Sequence, residues 1–343
     1  MKWFIGLLAR WFGPKKKVLR IDWSKYPWDN PTIPRLVLWQ GGAVSPMSNH
    51  YLDATKYDRI EFTGKAVCAE PVAAFGDSGN VVWHFIRETD PEDGKIKAYE
   101  DHYGYSLPKD ALWSELLIKS SIPGIAADGI DGNGDAFPQV SPYNTVLVCV
   151  GLKGKEVRNI EADHAPSNVL HYIDCENNTF HVAGKDSGRV RTNVDLGAVR
   201  SETSGGNRVI FNGLESRGVC FRADKSVGVD SIEGTCKGGS LLRDIGAAAH
   251  TYKGGRVRVK SNFTFDRLEP LMTGPLFVAG VYMDSESGPC VIEDGAEFYG
   301  ADFGCAVYKS SGHKIGYFET DAPQAVEFVA DTPQGTTTID PRL

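Results

Sequence analysis

Helical periodicity is what most of this sequence lacks. From about Thr145 to Glu319 no window places apolar residues at i, i+3, i+4 and i+7 over three turns, which disfavours helical and leucine-rich stacks. No apolar run reaches the roughly 20 residues needed to cross a hydrocarbon core, so no transmembrane segment is expected. The 37 basic residues are outnumbered by 44 acidic ones and are spread out beyond the extreme N-terminus, which leaves no nucleic-acid groove. Among seven cysteines there is no CxxC pair, and no Cys/His group has ligand spacing, so neither a metal nor a cofactor is expected. Cys149, Cys220, Cys290 and Cys305 lie inside apolar runs and read as reduced core residues, in keeping with folding in a reducing cytoplasm. Tryptophan is absent after Trp113, a composition shift that suggests a domain boundary.

What is present is a rhythm of short β-branched runs between Gly, Asn, Asp and Ser turns. Val169, Val194 and Val219 stand 25 residues apart, each where a strand could begin. A second column starts at Val209-Ile210-Phe211, returns at Ile232-Glu233 and again at Val257-Arg258-Val259. Both columns then take one longer step of 35 residues, Leu241 to Leu276 and Val257 to Ile292, which places an insertion in FDRLEPLMTG. Self-similarity at such a period signals stacked repeats, and short strands bounded by Gly and Asn make the expected fold all-β, a parallel β-solenoid whose coils bury Val, Ile, Leu, Phe and Cys between them.

The stretches NVLHYIDCENNTFHVAG, GVCFRADKSVGVDSIEG, GRVRVKSNFTF and GPCVIEDGAEFYG resemble right-handed parallel β-helices of the pectate-lyase type, as found in bacteriophage tailspikes. AADGIDGNGDAFP (126–138) is similar to the GAxGDGxxDD element that often opens such helices. The resemblance covers about half of the chain and brings no catalytic signature. It implies a homotrimer, a virion location after assembly in the host cytoplasm, attachment to other virion proteins through the N-terminal region, and a host surface glycan as ligand.

The expected organisation is an N-terminal anchor or arm over 1–35, a small mostly-β attachment domain over 36–140, the parallel β-helix over 141–320 and a C-terminal cap over 321–343. In MKWFIGLLARWFG, Trp3, Phe4, Leu8, Trp11 and Phe12 fall largely on one helical face. That segment reads as a peptide anchored in a partner protein, as a membrane-surface helix, or as a plain terminus. Prolines 27, 31 and 34 make the following stretch extended. IEFTGKAVCA and NVVWHFIRE alternate as strands, PKDALWSELLIKS suits a short helix, and Ala325 to Val329 is the one plausible strand of the cap.

Several constellations carry possible chemistry. GDSG (76–79) has the letters of a serine-protease motif, but only His50 precedes Ser78, and a β-turn is the simpler reading. Asp131-Gly132-Asn133-Gly134-Asp135 begins like a calcium loop but has Ala136 and Pro142 where Gly and a bidentate Glu belong. His171, His181 and His250 read as outward or turn residues.

Glu233, Arg258 and Glu293 follow Ile232, Val257 and Ile292, so stacking would place the carboxylates about 9.6 Å apart at Cα with Arg258 between. Inverting glycosidases hold their acid and base roughly 6.5–9.5 Å apart, which makes these three the candidate catalytic residues. Asp266 and Glu269 of the insertion, with Tyr299, are the candidate substrate-binding residues. The competing reading is a surface ladder of alternating charge.

The function expected is that of a phage tailspike or receptor-binding protein that adsorbs to a host surface polysaccharide, with or without cleaving it as a glycoside hydrolase or polysaccharide lyase. A capsid-decorating (cement) or head-attached protein without enzymatic activity is the alternative, and a free polysaccharide-degrading enzyme is disfavoured because no secretion signal is visible.

Overall fold

The computed structural model describes residues 17–25, 36–41, 51–67, 71–76, 81–87, 118–119, 146–165, 168–186, 198–216, 219–239, 246–268, 278–284, 286–307, 312–327 and 337–339. These residues are all-β apart from one 3₁₀ turn at Trp23–Lys25. In chain order the first strands are β1 (Val18–Asp22), β2 (Leu36–Trp39), β3 (Tyr51–Asp53), β4 (Arg59–Thr63) and β5 (Ala66–Val67). Then come β6 (Pro71–Gly76), β7 (Val81–Arg87) and β8 (Ile118–Lys119). There follow β9 (Leu147–Val150), β10 (Glu156–Ala165), β11 (Leu170–Ile173), β12 (Thr179–Asp186), β13 (Val199–Glu202), β14 (Arg208–Ser216), β15 (Phe221–Asp224) and β16 (Asp230–Gly238). Next are β17 (Gly246–Thr251), β18 (Val257–Arg267), β19 (Val278–Met283), β20 (Val291–Ile292), β21 (Glu297–Tyr299) and β22 (Phe303–Val307). The last are β23 (Lys314–Ile315), β24 (Glu319–Thr320), β25 (Ala325–Glu327) and β26 (Thr337–Ile339).

From β9 to β19 the strands alternate between two sheets. Of these, the even-numbered ones join a twelve-stranded sheet, here sheet I, in the order β1-β4-β10-β12-β14-β16-β18-β20-β23, with β5, β21 and β24 beside it. The odd-numbered ones join an eleven-stranded sheet II, in the order β3-β2-β9-β11-β13-β15-β17-β19-β22-β25-β26. Pairing is parallel throughout both sheets except for β25 with β26. The segment expected as a small domain contributes β2 to β5 to the two long sheets, while β6, β7 and β8 form a separate three-stranded sheet. The helix expected in PKDALWSELLIKS lies outside the described residues except for Ile118–Lys119, which is a strand.

The inward faces of the sheets meet in one apolar cluster running from Trp23 to Phe318. Phe211, Phe263 and Phe298 follow one another at ring spacings of 6.1 Å, and Phe318 closes the column against Phe298 at 5.1 Å. Trp23 does the same at the other end, edge-on to Phe62 at 3.9 Å. Burial of each such side chain contributes roughly 1.5–3 kcal/mol. Cys149, Cys175, Cys220, Cys236, Cys290 and Cys305 are free and buried in this core, as expected of reduced core residues; Cys68 lies outside the described residues.

The passages from β9 to β10, β11 to β12 and β13 to β14 turn a corner through pairs of left-handed residues: Gly151 and Gly154, then Asp174 and Asn177, then Thr203 and Gly206. Glycine or a short polar side chain adopts that conformation at least cost. Directly behind these corners Asn178, Asn207 and Asp230 stack into a buried polar ladder. Asn178 Nδ2 donates to Asn207 Oδ1 at 2.9 Å, and Asn207 Nδ2 donates to Asp230 Oδ1 at 3.0 Å. The same side-chain oxygens accept the backbone N–H groups of Lys155, Asn178 and Asn207, so the corner amides are satisfied without water.

The register corrects the expected columns. Val209 pairs with Ile232 as expected, but Ile232 pairs with Val259, not Val257, and Val259 pairs with Ile292. Val257 and Val259 are both fully buried. A slip of two residues keeps every side chain on its face, so the hydrophobic pattern cannot choose between these registers. Corner length does choose: Asp230 follows the left-handed Lys225 by five residues, whereas its partner Val257 follows the left-handed Gly254 by three. In sheet II, Val169 and Val219 are bridged by Ala198, whose backbone bonds both; Val194 lies outside the described residues.

Candidate functional site

The strands of sheet I are long enough to be interrupted, and the interruptions are where it acquires a site. In β10 the register with β12 shifts between Val157 and Ile160, around Asn159 at φ 59°. β12 and β14 shift between Val182 and Lys185, around Gly184 at φ 96°, and β14 carries Gly213 at φ 75° as its extra residue against β16. A bulge bends its strand and re-aims the side chains around it. Bulges on neighbouring strands open a groove of about 1240 Å³ on the outer surface, lined by Thr63, Lys65, Asn159, Glu161, Asp163, His181, Lys185 and Asn212 over a floor that includes Ala183, Gly184 and Gly213.

The charges around this groove are matched in place. Lys65 Nζ meets Asp163 Oδ2, and Lys185 Nζ meets Glu215 Oε2 at 3.0 Å. His181 Nε2 lies 3.7 Å from Glu156, and burial lowers its pKa despite that carboxylate, so the ring is neutral at pH 7. Asn159 spends its amide on the Phe62 carbonyl at 3.1 Å.

Further along sheet I stand the residues selected from sequence. Ile232, Val259 and Ile292 share a register, but β16 and β18 slip directly after it, so Glu233 faces a bulge of Lys260, Ser261 and Asn262 and has no register partner on β18. Arg258 belongs to a column with Ser231 and Val291, and the cation nearest Glu293 is Lys260. Glu293 Oε1 takes Lys260 Nζ at 2.7 Å and Arg258 Nη1 at 3.4 Å. Glu233 binds Arg208 Nε and accepts from Asn262 Nδ2 at 3.1 Å. Burial pushes the Glu233 carboxyl up, but hydrogen bonds from Arg208 and Asn262 outweigh it and hold the group below its ordinary range. The Lys260 hydrogen bond does the same for Glu293.

Asp266 and Tyr299 are register neighbours beyond the bulge, on β18 and β21, and Tyr299 Oη donates to Glu319 Oε2 at 3.4 Å. Glu269 lies outside the described residues, as do Trp3, Phe4, Leu8, Trp11 and Phe12, the calcium-like loop and the Asp77, Ser78 and Gly79 of GDSG.

Sheet II carries a second polar set, and here the histidine reading is corrected. His171 and His250 are buried strand residues. His171 Nε2 lies 3.2 Å from Glu202, which also takes Arg200 at 3.2 Å, while Asp224 takes Arg222 at 3.3 Å. Burial pushes His171 down to about 4 and His250 to about 3, and the hydrogen bond from His171 holds Glu202 at about 2. These groups were misread because histidine gives no hydropathy signal of its side in a strand that is covered on both faces.

The groove itself was missed. Its residues come from segments as distant as Thr63 and Asn212, and the signal that could have found it is the glycine interrupting each β run at 64, 184 and 213. Among the described residues no group of three or more His, Cys, Asp or Glu could hold a metal ion, and no helix is long and apolar enough to cross a membrane. The chain matches no family model, no curated protein and no solved structure.

Proposed function

We propose that the chain is a virion protein of the tailspike or receptor-binding kind, and that it adsorbs to a host surface polysaccharide through the groove of sheet I. In this reading the two parallel sheets are faces of one right-handed β-helix. The alternation of successive strands between the sheets supports the coil, and the hand follows from the strong right-handed preference of parallel crossovers. A homotrimer of such rods would be attached to other virion proteins through the N-terminal region, residues 1 to about 140.

The observation that carries the binding reading is the open, polar, glycine-floored groove on an otherwise regular stack. Clefts with a few placed polar groups are where ligands bind. Cleavage by Glu233 and Glu293 is not part of the proposal. A general acid must keep its proton near neutral pH, whereas both carboxyls are held ionised by cations.

The test is to incubate the purified chain with host envelope polysaccharides, following retention on the polymer and new reducing ends. Retention without new ends is the expected result. Neither retention nor cleavage would transfer the assignment to a capsid-decorating protein.

A further inference from the structure

We propose that the groove of sheet I selects an uncharged glycan, laid across the turn of residues 63–65 at the end of β4, then β10, β12 and β14. This rests on the polysaccharide-binding reading above and narrows it to a chemical class. The lining carries two lysines, Lys65 and Lys185, and two carboxylates, Glu161 and Asp163, so its formal charge is zero. The cations are moreover committed, Lys65 to Asp163 and Lys185 to Glu215. An anionic sugar would have to break one of these pairs to gain a partner, leaving a carboxylate beside its own. A sugar hydroxyl pays no such cost, because it donates and accepts at once.

The groups left to meet hydroxyls are of matching chemistry. Asn159 has its amide oxygen beyond the bond its nitrogen makes, Asn212 is exposed, and the neutral His181 ring, with Nε2 turned to Glu156, keeps its other ring nitrogen as an acceptor. Shape points the same way. Gly213 has open space where a side chain would stand, and Gly184 cannot carry one, since its Cβ would sit 2.1 Å from the Ala162 carbonyl oxygen. The floor is therefore bare backbone, reachable by a pyranose ring. Three inter-strand steps of about 4.8 Å give it roughly 14 Å of length, enough for a short linear stretch of sugars.

The experiment measures binding of the full chain to immobilised uncharged polymers (mannan, galactan, glucan) and anionic ones (polygalacturonate, polysialic acid). Binding to at least one uncharged polymer and to none of the anionic ones at 150 mM salt is expected. Ala183→Trp, which fills the groove from a strand position, should weaken uncharged binding at least tenfold with an unchanged melting profile. Should that variant fail to fold, Asn212→Ala at the exposed rim should weaken binding severalfold. Asp163→Asn, which gives the lining a net positive charge, should create measurable binding to polygalacturonate at low salt.

Anionic polymers held as tightly as uncharged ones would overturn the selectivity while leaving the receptor-binding reading intact. Uncharged binding indifferent to Ala183→Trp and Asn212→Ala would remove the groove as its site. Absence of binding to every polymer would bring down the reading on which the inference rests.

Discussion

Tyr172 and Asp230 are 58 residues apart in the chain, and the phenol donates to the carboxylate at 2.9 Å in the core. Ser201 donates to the same oxygen at 2.6 Å, and Asn207 gives the other oxygen both its backbone and its side-chain N–H. Four donor groups, from Tyr172, Ser201 and Asn207, thus converge on one buried carboxylate. Burial raises its pKa, and these hydrogen bonds oppose that rise.

Asp230→Ala should therefore cost about 3 kcal/mol or more, because it strands several buried donors at once. Asp230→Asn should cost less than about 1.5 kcal/mol, since it extends the ladder already made by Asn178 and Asn207 and removes a buried charge. Urea denaturation of both variants checks this. Equal losses would mean that the ladder is not what holds the corner.

Stability should fall as pH falls from about 6.5 towards 4. The unfolded chain takes up protons at His171 and His250 near 6.5, whereas the folded chain takes them up only at about 4 and about 3. Between those values the unfolded state binds more protons, so acid favours it. For His171 the full depression is on the order of 3 kcal/mol. Asp230 has the opposite sign, its folded-state pKa being raised, and relieves part of the loss as it protonates.

Neither ring nitrogen of His250 has a hydrogen-bond partner among the described residues, and its ring packs against Tyr252 and Tyr282. His250→Phe should thus be neutral or stabilising at pH 7. It should also flatten the acid limb of a plot of denaturation midpoint against pH; an unaltered limb would rule the histidine out as its source.

Gly184→Ala and Gly154→Ala separate strain from collision. Both glycines have positive φ, +96° and +63°, but a Cβ at 154 meets open space while one at 184 runs into the Ala162 backbone. Gly154→Ala should cost roughly 1–2 kcal/mol from left-handed strain alone. Gly184→Ala should cost clearly more, with a lower melting temperature and a distorted groove, because backbone atoms have little room to yield.

Glu293→Gln should change stability by less than about 1 kcal/mol, since its cations Arg258 and Lys260 keep part of their surface in water. Glu233→Gln should cost more, about 1–3 kcal/mol, because that carboxylate is buried and holds both Arg208 and Asn262. Glycan retention should be unchanged in both. Reducing-end release that disappears in either variant would restore these carboxylates as an acid–base pair.

How far the sequence reaches is visible in single residues. Val209 to Ile232 is readable, because a single step joins two clear β runs. Val257 and Val259 are not distinguishable in sequence, because both point inward and an alternating pattern repeats every two residues. Glu233 and Glu293 read as one column, but β18 bulges opposite Glu233, and the cation nearest Glu293 is Lys260 at 2.7 Å. The groove was illegible for a different reason. Thr63, Asn159, His181 and Asn212 have no sequence relationship, and only stacking brings their strands side by side.

By itself the sequence determined that the described part of this chain is all-β, that short runs return after polar turns, and that Cys149, Cys220, Cys290 and Cys305 belong to the core; these are local properties of alternation, turn chemistry and side-chain polarity. Tertiary structure alone decided the register, the ladder of Asn178, Asn207 and Asp230, and the groove. Each of those depends on how many residues a corner consumes before the next strand begins. Corner length is set by backbone hydrogen bonding between neighbouring strands and turns, which leaves no periodic trace in the chain.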